Sequence, residues 1–415
     1  VSFHHATLPN GLQVIAELDE RTHSVAAGFF VKAGSRDEQN DVAGVSHFLE
    51  HMAFKGSERR DALAVNRDFD RLGVKHNAQT SEEDTVYHLA CLPEYLPSAL
   101  DVLADILRPS LREEDFETEK QVIIEEIRMY QDNAVMVAYE AAKELHFAPH
   151  PLGHSVLGTV ESIRDLKVDR MREYFQARYS PPNIVLGVTG RTTWDTVLAL
   201  AESRCGHWTG PTTAPRVVSE PRPACLFRAL LRPDDMQQTV IGVASAPALE
   251  NPDRYAASLL ATVLGDHVGS RLYWDLIDPG HADGIDLSYQ DYNGAGAFYT
   301  FLSCDPDEAQ ANLQRVAHTL SDAMTSGISP DELERARNKV LSRTVLRSER
   351  PMGRLMPLGF HWTYRGQYVS VHDELEAIAA VTVADLSRVL AQYPLLPMTL
   401  VTVGPTTDLR APDAA

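Results

Sequence analysis

Apolar and polar positions follow two periods along this chain. Leu12-Gln13-Val14-Ile15-Ala16 and Val25-Ala26-Ala27-Gly28-Phe29-Phe30-Val31 are strand-like runs, and with the Asn10-Gly11 turn signal before them they predict a β-hairpin within residues 7–32. The period then lengthens. A helix is predicted whose first turns contain Ser46, His47, Glu50 and His51, and a second over about 61–72, with Leu63, Val65, Phe69 and Leu72 on one face. Residues 76–90 read as two extended segments around the acidic turn Glu82-Glu83-Asp84. Helices follow over 96–107, 113–130 and 168–178, then a strand over 184–190.

The Pro, Gly and Thr-rich stretch 206–224 reads as a linker between domains 1–205 and 225–415. Beyond it the order of elements repeats: a strand over 238–244, a helix over 252–264, extended segments over 285–303, helices over 306–326 and 330–348, and a last strand over 398–403. Two halves of like order predict an internal duplication, one of pattern rather than of obvious identity.

Composition narrows the class. A chain of 415 residues exceeds one ordinary core, so two domains are expected, and 44% hydrophobic with 23% charged residues describes a soluble globular protein. No run of 18 apolar residues predicts a membrane span, and Val1-Ser2-Phe3-His4-His5 lacks the basic-then-apolar form of a secretory signal. The formal charge of −20 argues against nucleic acid, which requires a basic footprint, and favours neutral or basic ligands. Cys91, Cys205, Cys225 and Cys304 form no Cys-x-x-Cys pair, which suits reduced thiols in a cytoplasmic compartment.

The chemistry concentrates at His47-Phe48-Leu49-Glu50-His51. At roughly 100° per helical residue, His47 and His51 project from one side a turn apart, with Glu50 beside them. This is the inverse of His-Glu-x-x-His, and a catalytic zinc needs such a pair, a third protein ligand and a nearby base. Two third ligands stand on the helix predicted over 113–130, and periodicity separates them. Thr118, Gln121, Glu125, Arg128 and Asp132 form a polar stripe, whereas Glu119, Val122, Ile123, Glu126 and Tyr130 fall on the other side. A carboxylate on a partly apolar stripe is costly unless paired or bound to metal. Glu126 is therefore the expected ligand, Glu50 the general base, and Glu119 the group that supports a liganding histidine. His146, His150 and His154 are too loosely spaced for a second metal site. The extended segments at 76–90 fit either an ordinary hairpin or an edge that adds a peptide as a further strand.

With these residues in place, the sequence resembles the zinc metallopeptidase family of pitrilysin, insulin-degrading enzyme and the mitochondrial processing peptidase. The resemblance extends across most of the chain. It is carried by Leu8-Pro9-Asn10-Gly11-Leu12, Gly34-Ser35-Arg36-Asp37-Glu38, the block from Gly44 to Gly56, Asn77-Ala78-Gln79-Thr80-Ser81, the block from Glu119 to Glu126, and Tyr179-Ser180-Pro181-Pro182-Asn183. It implies one zinc ion per chain on His47, His51 and Glu126, Glu50 as base, Glu119 behind a ligand, and Asn77 and Ala78 on the edge strand that pairs with a peptide substrate. It implies an α+β fold of two duplicated α/β roll domains, each a mixed, largely antiparallel sheet packed with helices, the first domain zinc-binding and catalytic and the second not.

Four such domains close a chamber in that family, so this chain is expected to need a second subunit. Proteolytic members carry an Arg and a Tyr in a non-catalytic half; here Ile277 and Gly284 stand at or near those places, and Arg271 and Tyr289 read as structural. A heterodimer whose partner supplies both residues follows, with a self-sufficient homodimer as an alternative. A non-catalytic scaffold subunit of the same descent is a further alternative, against which the intact metal motif stands.

Overall fold

The computed structural model describes residues 1–211, 216, 219 and 221–412. Its chain divides into two compact units. The first sheet has six strands, β1 (Ser2–Thr7), β2 (Gln13–Leu18), β3 (Val25–Val31), β4 (Lys75–Thr80), β5 (Thr85–Cys91) and β6 (Ile184–Gly190). They lie in the order β1-β2-β6-β3-β5-β4, antiparallel except for the β2–β6 pair. The second sheet has five, β7 (Phe227–Leu231), β8 (Gln238–Ser245), β9 (Gly284–Tyr292), β10 (Ala295–Cys304) and β11 (Thr399–Gly404), in the order β7-β11-β8-β10-β9. There only β11–β7 is parallel.

Removing β1 makes the two orders equivalent strand for strand, which is the expected duplication expressed as topology. The fold is α+β with two mixed, largely antiparallel sheets, each packed with helices.

The first unit runs to Arg216, inside the 206–224 stretch expected from composition, but chain position and unit part company at two other segments. Residues 128–153 belong with the second unit and 345–370 with the first. Each sheet thus has one face covered by a helix from the opposite half of the sequence. In the first unit the helix Pro351–Arg365 covers Ile15, Phe30, Val86 and Val185 through Leu355 and Leu358. It comes close because Gly28 and Gly187 present no side chain: a Cβ on either would lie 3.2–3.3 Å from a Leu355 methyl. In the second, the helix Ala134–Phe147 lays Ala138, Ala142 and Phe147 on Ile241, Val243, Val401 and Val403. Of the expected linker, 212–215, 217, 218 and 220 lie outside the described residues, while Arg216 is pinned by Asp37 and, at 3.1 Å, by Glu83.

The predicted hairpin within 7–32 is corrected. Both of its strands form, but β6 inserts between them, and β2 instead pairs with β1 across the Asn10-Gly11 turn. The acidic turn does join neighbours, β4 and β5, and β4 forms the edge of its sheet.

Candidate metal centre

The histidine helix, Val45–Ala53, forms because Val45, Phe48, Leu49, Met52 and Ala53 repeat at helical spacing and are all buried. Its start is fixed from outside. Gly44 adopts the left-handed conformation, where a Cβ would also strike the Leu157 carbonyl oxygen at 2.5 Å. The buried Glu38 carboxylate accepts from the N–H groups of Gly44 at 2.7 Å and Ser46 at 2.8 Å, satisfying donors that the first turn leaves open.

The second supporting element is the helix Glu113–Gln131, which opens with Glu113, Glu114 and Asp115. Phe48 and Phe116 stack with ring centres 4.6 Å apart, setting the register of the two helices. On the inward stripe Glu119 and Ile123 are buried, and Glu125 on the polar stripe is exposed, as the periodicity predicts. Val122 and Tyr130, expected inward, are exposed, and Ile124 takes up the buried position instead.

These elements bring His47, His51 and Glu126 together, with one ligand atom from each within 4.8 Å of the others. Glu126 Oε2 lies 3.8 Å from His47 Nε2 and 3.5 Å from His51 Nε2. Both are longer than a hydrogen bond and close to the roughly 3.3 Å ligand separation that a tetrahedral zinc with bonds near 2.0–2.1 Å imposes. His51 Nδ1 meets Glu119 Oε1 at 2.9 Å, which with the proton on Nδ1 leaves the Nε2 lone pair facing Glu126. Glu119 is itself held by Lys55 Nζ at 2.5 Å. The donor set and its spacing fit a zinc ion.

Electrostatics follow burial. Desolvation, then His51, push the His47 pKa down to about 3, which keeps its imidazole neutral and able to donate a lone pair. Burial also opposes charge on His51, but the Glu119 hydrogen bond and the carboxylates of Glu126, Glu119 and Glu50 outweigh it and raise its pKa. Burial raises the Glu50 pKa against a hydrogen bond from Thr80 Oγ1, 2.5 Å from Glu50 Oε2. Burial acts upward on Glu119 too, where the bonds from His51 and Lys55 win and lower the pKa.

Asn77 and Ala78 lie in the middle of edge strand β4, three and two residues before the Thr80 that grips Glu50. Three contributors escaped the residue-level reading: Glu38, Lys55 and Thr80. Glu38, Lys55 and Thr80 all fall in blocks that carry the resemblance, yet only the folded contacts reveal their partners. In the second unit, Arg271 pairs with Glu332 at 2.7 Å and Asp322 at 3.0 Å, and the Tyr289 hydroxyl donates to the Pro247 carbonyl at 2.6 Å. Both are engaged structurally. His146, His150 and His154 meet Thr399, Ser219 and Ser35 respectively.

Two histidines and a carboxylate stand around a gap of metal size, with Glu50 as a fourth side chain alongside, an arrangement that could hold a metal ion. The chain belongs to the insulinase family of peptidases, peptidase family M16. The match covers residues 13–160 with the insulinase-type domain and residues 165–340 with the M16 inactive domain.

Among similar proteins, the uncharacterized zinc protease SCO5738 of Streptomyces coelicolor is 30% identical over 416 residues, covering 98% of this chain and 90% of that one. The uncharacterized zinc protease YmxG of Bacillus subtilis is 28% identical over 390 residues, covering 92% and 94%. The fold is shared with an M16 inactive-domain peptidase structure from Pseudomonas fluorescens, with a TM-score of 0.92 at 18% identity over the whole of both chains. A protease structure from Helicobacter pylori gives a TM-score of 0.90 at 21% identity over 97% and 99%. No helix among the described residues is long and apolar enough to cross a membrane.

Proposed function

We propose that this chain is a zinc-dependent endopeptidase subunit that hydrolyses peptides or unfolded segments. The observation that carries the reading is the convergence of His47, His51 and Glu126 within 4.8 Å, with Glu50 one turn-position away on the same helix. His47 Nε2, His51 Nε2 and the Glu126 carboxylate would hold one zinc ion. When bound, zinc supplies Lewis acidity, lowering the pKa of water towards roughly 7 and polarising a carbonyl.

The chain's own groups do the rest. Thr80 orients the Glu50 carboxylate through Oε2, and that carboxylate would take a proton from the attacking water and pass it to the leaving amine. Burial makes Glu50 a stronger base than an exposed glutamate, which matches it better to that proton. Glu119 holds the His51 ring in place. The open edge of β4 at Asn77 and Ala78 offers main-chain groups to an extended peptide, which positions it without selecting its side chains.

A second subunit completes the enzyme. The engagement of Arg271 by Glu332 and Asp322, with Ile277 and Gly284 where substrate-holding residues are expected, supports a homologous partner that supplies the Arg and Tyr. Glu50→Gln should retain zinc and lose turnover of unfolded peptides when the partner is present. Cleavage by that variant at the wild-type rate would remove Glu50 from the chemistry. Peptide cleavage by the purified chain with no partner would favour a homodimer instead.

A further inference from the structure

The first unit contains a second place with unmet chemistry, formed by none of the metal-site residues. A cavity of about 620 Å3 opens between the end of the helix Val168–Arg178 and the segment 209–211. Phe175, Ala177, Tyr179 and Pro211 line it, and Arg108 forms its charged wall. The Arg108 guanidinium lies with Cζ 3.8 Å above the Trp208 ring centre and 5.7 Å from that of Phe175. Its Nη1 donates to the Leu107 carbonyl at 2.9 Å, whereas Nη2 is buried and reaches no acceptor.

Unlike the other enclosed arginines of the first unit, Arg108 has no anion beside it among the described residues. Arg36 meets Glu83 at 2.6 Å, Arg354 meets Glu17 at 2.7 Å, Arg60 is shared by Asp68, Asp101 and Asp105, and Arg216 pairs with Asp37 and Glu83. No carboxylate among the described residues pairs with Arg108, in a chain with 58 acidic residues. The cavity's own carboxylate, Glu173, is exposed and engaged by Arg170. A desolvated cation without an anionic partner is costly, and burial holds its pKa down at about 10.

We propose that this cavity binds a carboxylate-bearing ligand, with the Arg108 guanidinium taking the carboxylate and Phe175, Tyr179 and Pro211 enclosing an apolar body. One guanidinium offers a single positive charge and a planar edge, which matches a monoanionic planar group. A phosphate would bring close to two negative charges to one cation. The volume lies within the range of about 300–1,000 Å3 usual for small-ligand sites. Two sources share this chemistry: a free small organic acid and the C-terminus of a peptide. The inference is independent of the peptidase reading.

Thermal unfolding of the full chain tests it, with benzoate, the tripeptide Ala-Ala-Phe and its C-terminal amide as probes against chloride at equal ionic strength. A carboxylate at ten times its Kd should raise Tm by roughly 3–6 °C. The shift should vanish in Arg108→Met, and in Ala177→Trp, which fills the cavity from an exposed position should the Arg108 variant fail to fold. A response to the free-acid peptide and not its amide assigns a peptide terminus, and a response to benzoate alone assigns a small free acid. No shift beyond chloride in the wild type, or a shift that survives in the variants, overturns the proposal.

Discussion

Glu119 gives the sharpest quantitative test of how the metal centre is built. It is 4% exposed, accepts from His51 Nδ1 at 2.9 Å and is held by Lys55 at 2.5 Å. A hydrogen bond to a charged group of this kind contributes about 1.5–3 kcal/mol. Independently, removing the hydrogen-bond partner behind a liganding histidine weakens metal affinity about 10–100-fold, or ~1.4–2.7 kcal/mol. The two routes agree, so the effect should be near 2 kcal/mol, about thirtyfold in zinc affinity. Glu119→Gln keeps one acceptor oxygen and should fall near tenfold, whereas Glu119→Ala leaves Nδ1–H unmet and should approach a hundredfold. Competition with a chromophoric chelator at neutral pH reads the affinity, and circular dichroism checks that both variants remain folded. If both bind zinc within about twofold of wild type, Glu119 does not hold His51 for the metal.

Thr80→Val removes the hydroxyl on Glu50 Oε2 at nearly constant shape. Turnover should drop about tenfold with zinc content unchanged and recover in Thr80→Ser; an unaffected valine variant would make the contact incidental. Leu355→Ala, at a fully buried site between Gly28 and Gly187, should cost about 2–5 kcal/mol in denaturant unfolding, and a cost below ~1 kcal/mol would mean the helix is not docked there.

Stability should also depend on pH through Glu38, whose carboxyl burial pushes up to about 7 against its backbone N–H donors, from an ordinary value near 4.5. The folded state therefore binds the proton more tightly, so its stabilising contribution is whole below about pH 4.5 and is lost as pH rises through 7, by up to ~3 kcal/mol. Glu38→Gln should flatten unfolding free energy between those limits, and an unchanged slope would refute the assignment.

Much of the site was legible because a helix converts spacing into direction. His47, Glu50 and His51 needed only the period of one element, and Glu126 was separated from Glu125 by the stripe each occupies. The strand pairing was not legible in the same way. β6 lies more than 150 residues after β3 and still enters between β2 and β3, and no local period records a partner so distant. β1 escaped because Ser2-Phe3-His4-His5 carries little apolar signal, its strand being only partly buried. The helices Ala134–Phe147 and Pro351–Arg365 are not among the elements the sequence predicts, and an apolar face states that it must be covered but not by which sheet. Thr80 acts through a hydrogen bond to a group 30 residues away and Glu38 through two backbone N–H groups 6 and 8 residues away, which composition and spacing do not encode.

The most direct measurement is the anomalous scattering of crystals of the purified chain at the zinc edge. One strong peak is expected about 2.0–2.2 Å from His47 Nε2, His51 Nε2 and a Glu126 carboxylate oxygen, and it should disappear in His51→Ala. Crystals of zinc-supplemented protein with no peak between those three atoms, or with the zinc held by other residues, would contradict the metal centre on which the proposed peptidase rests.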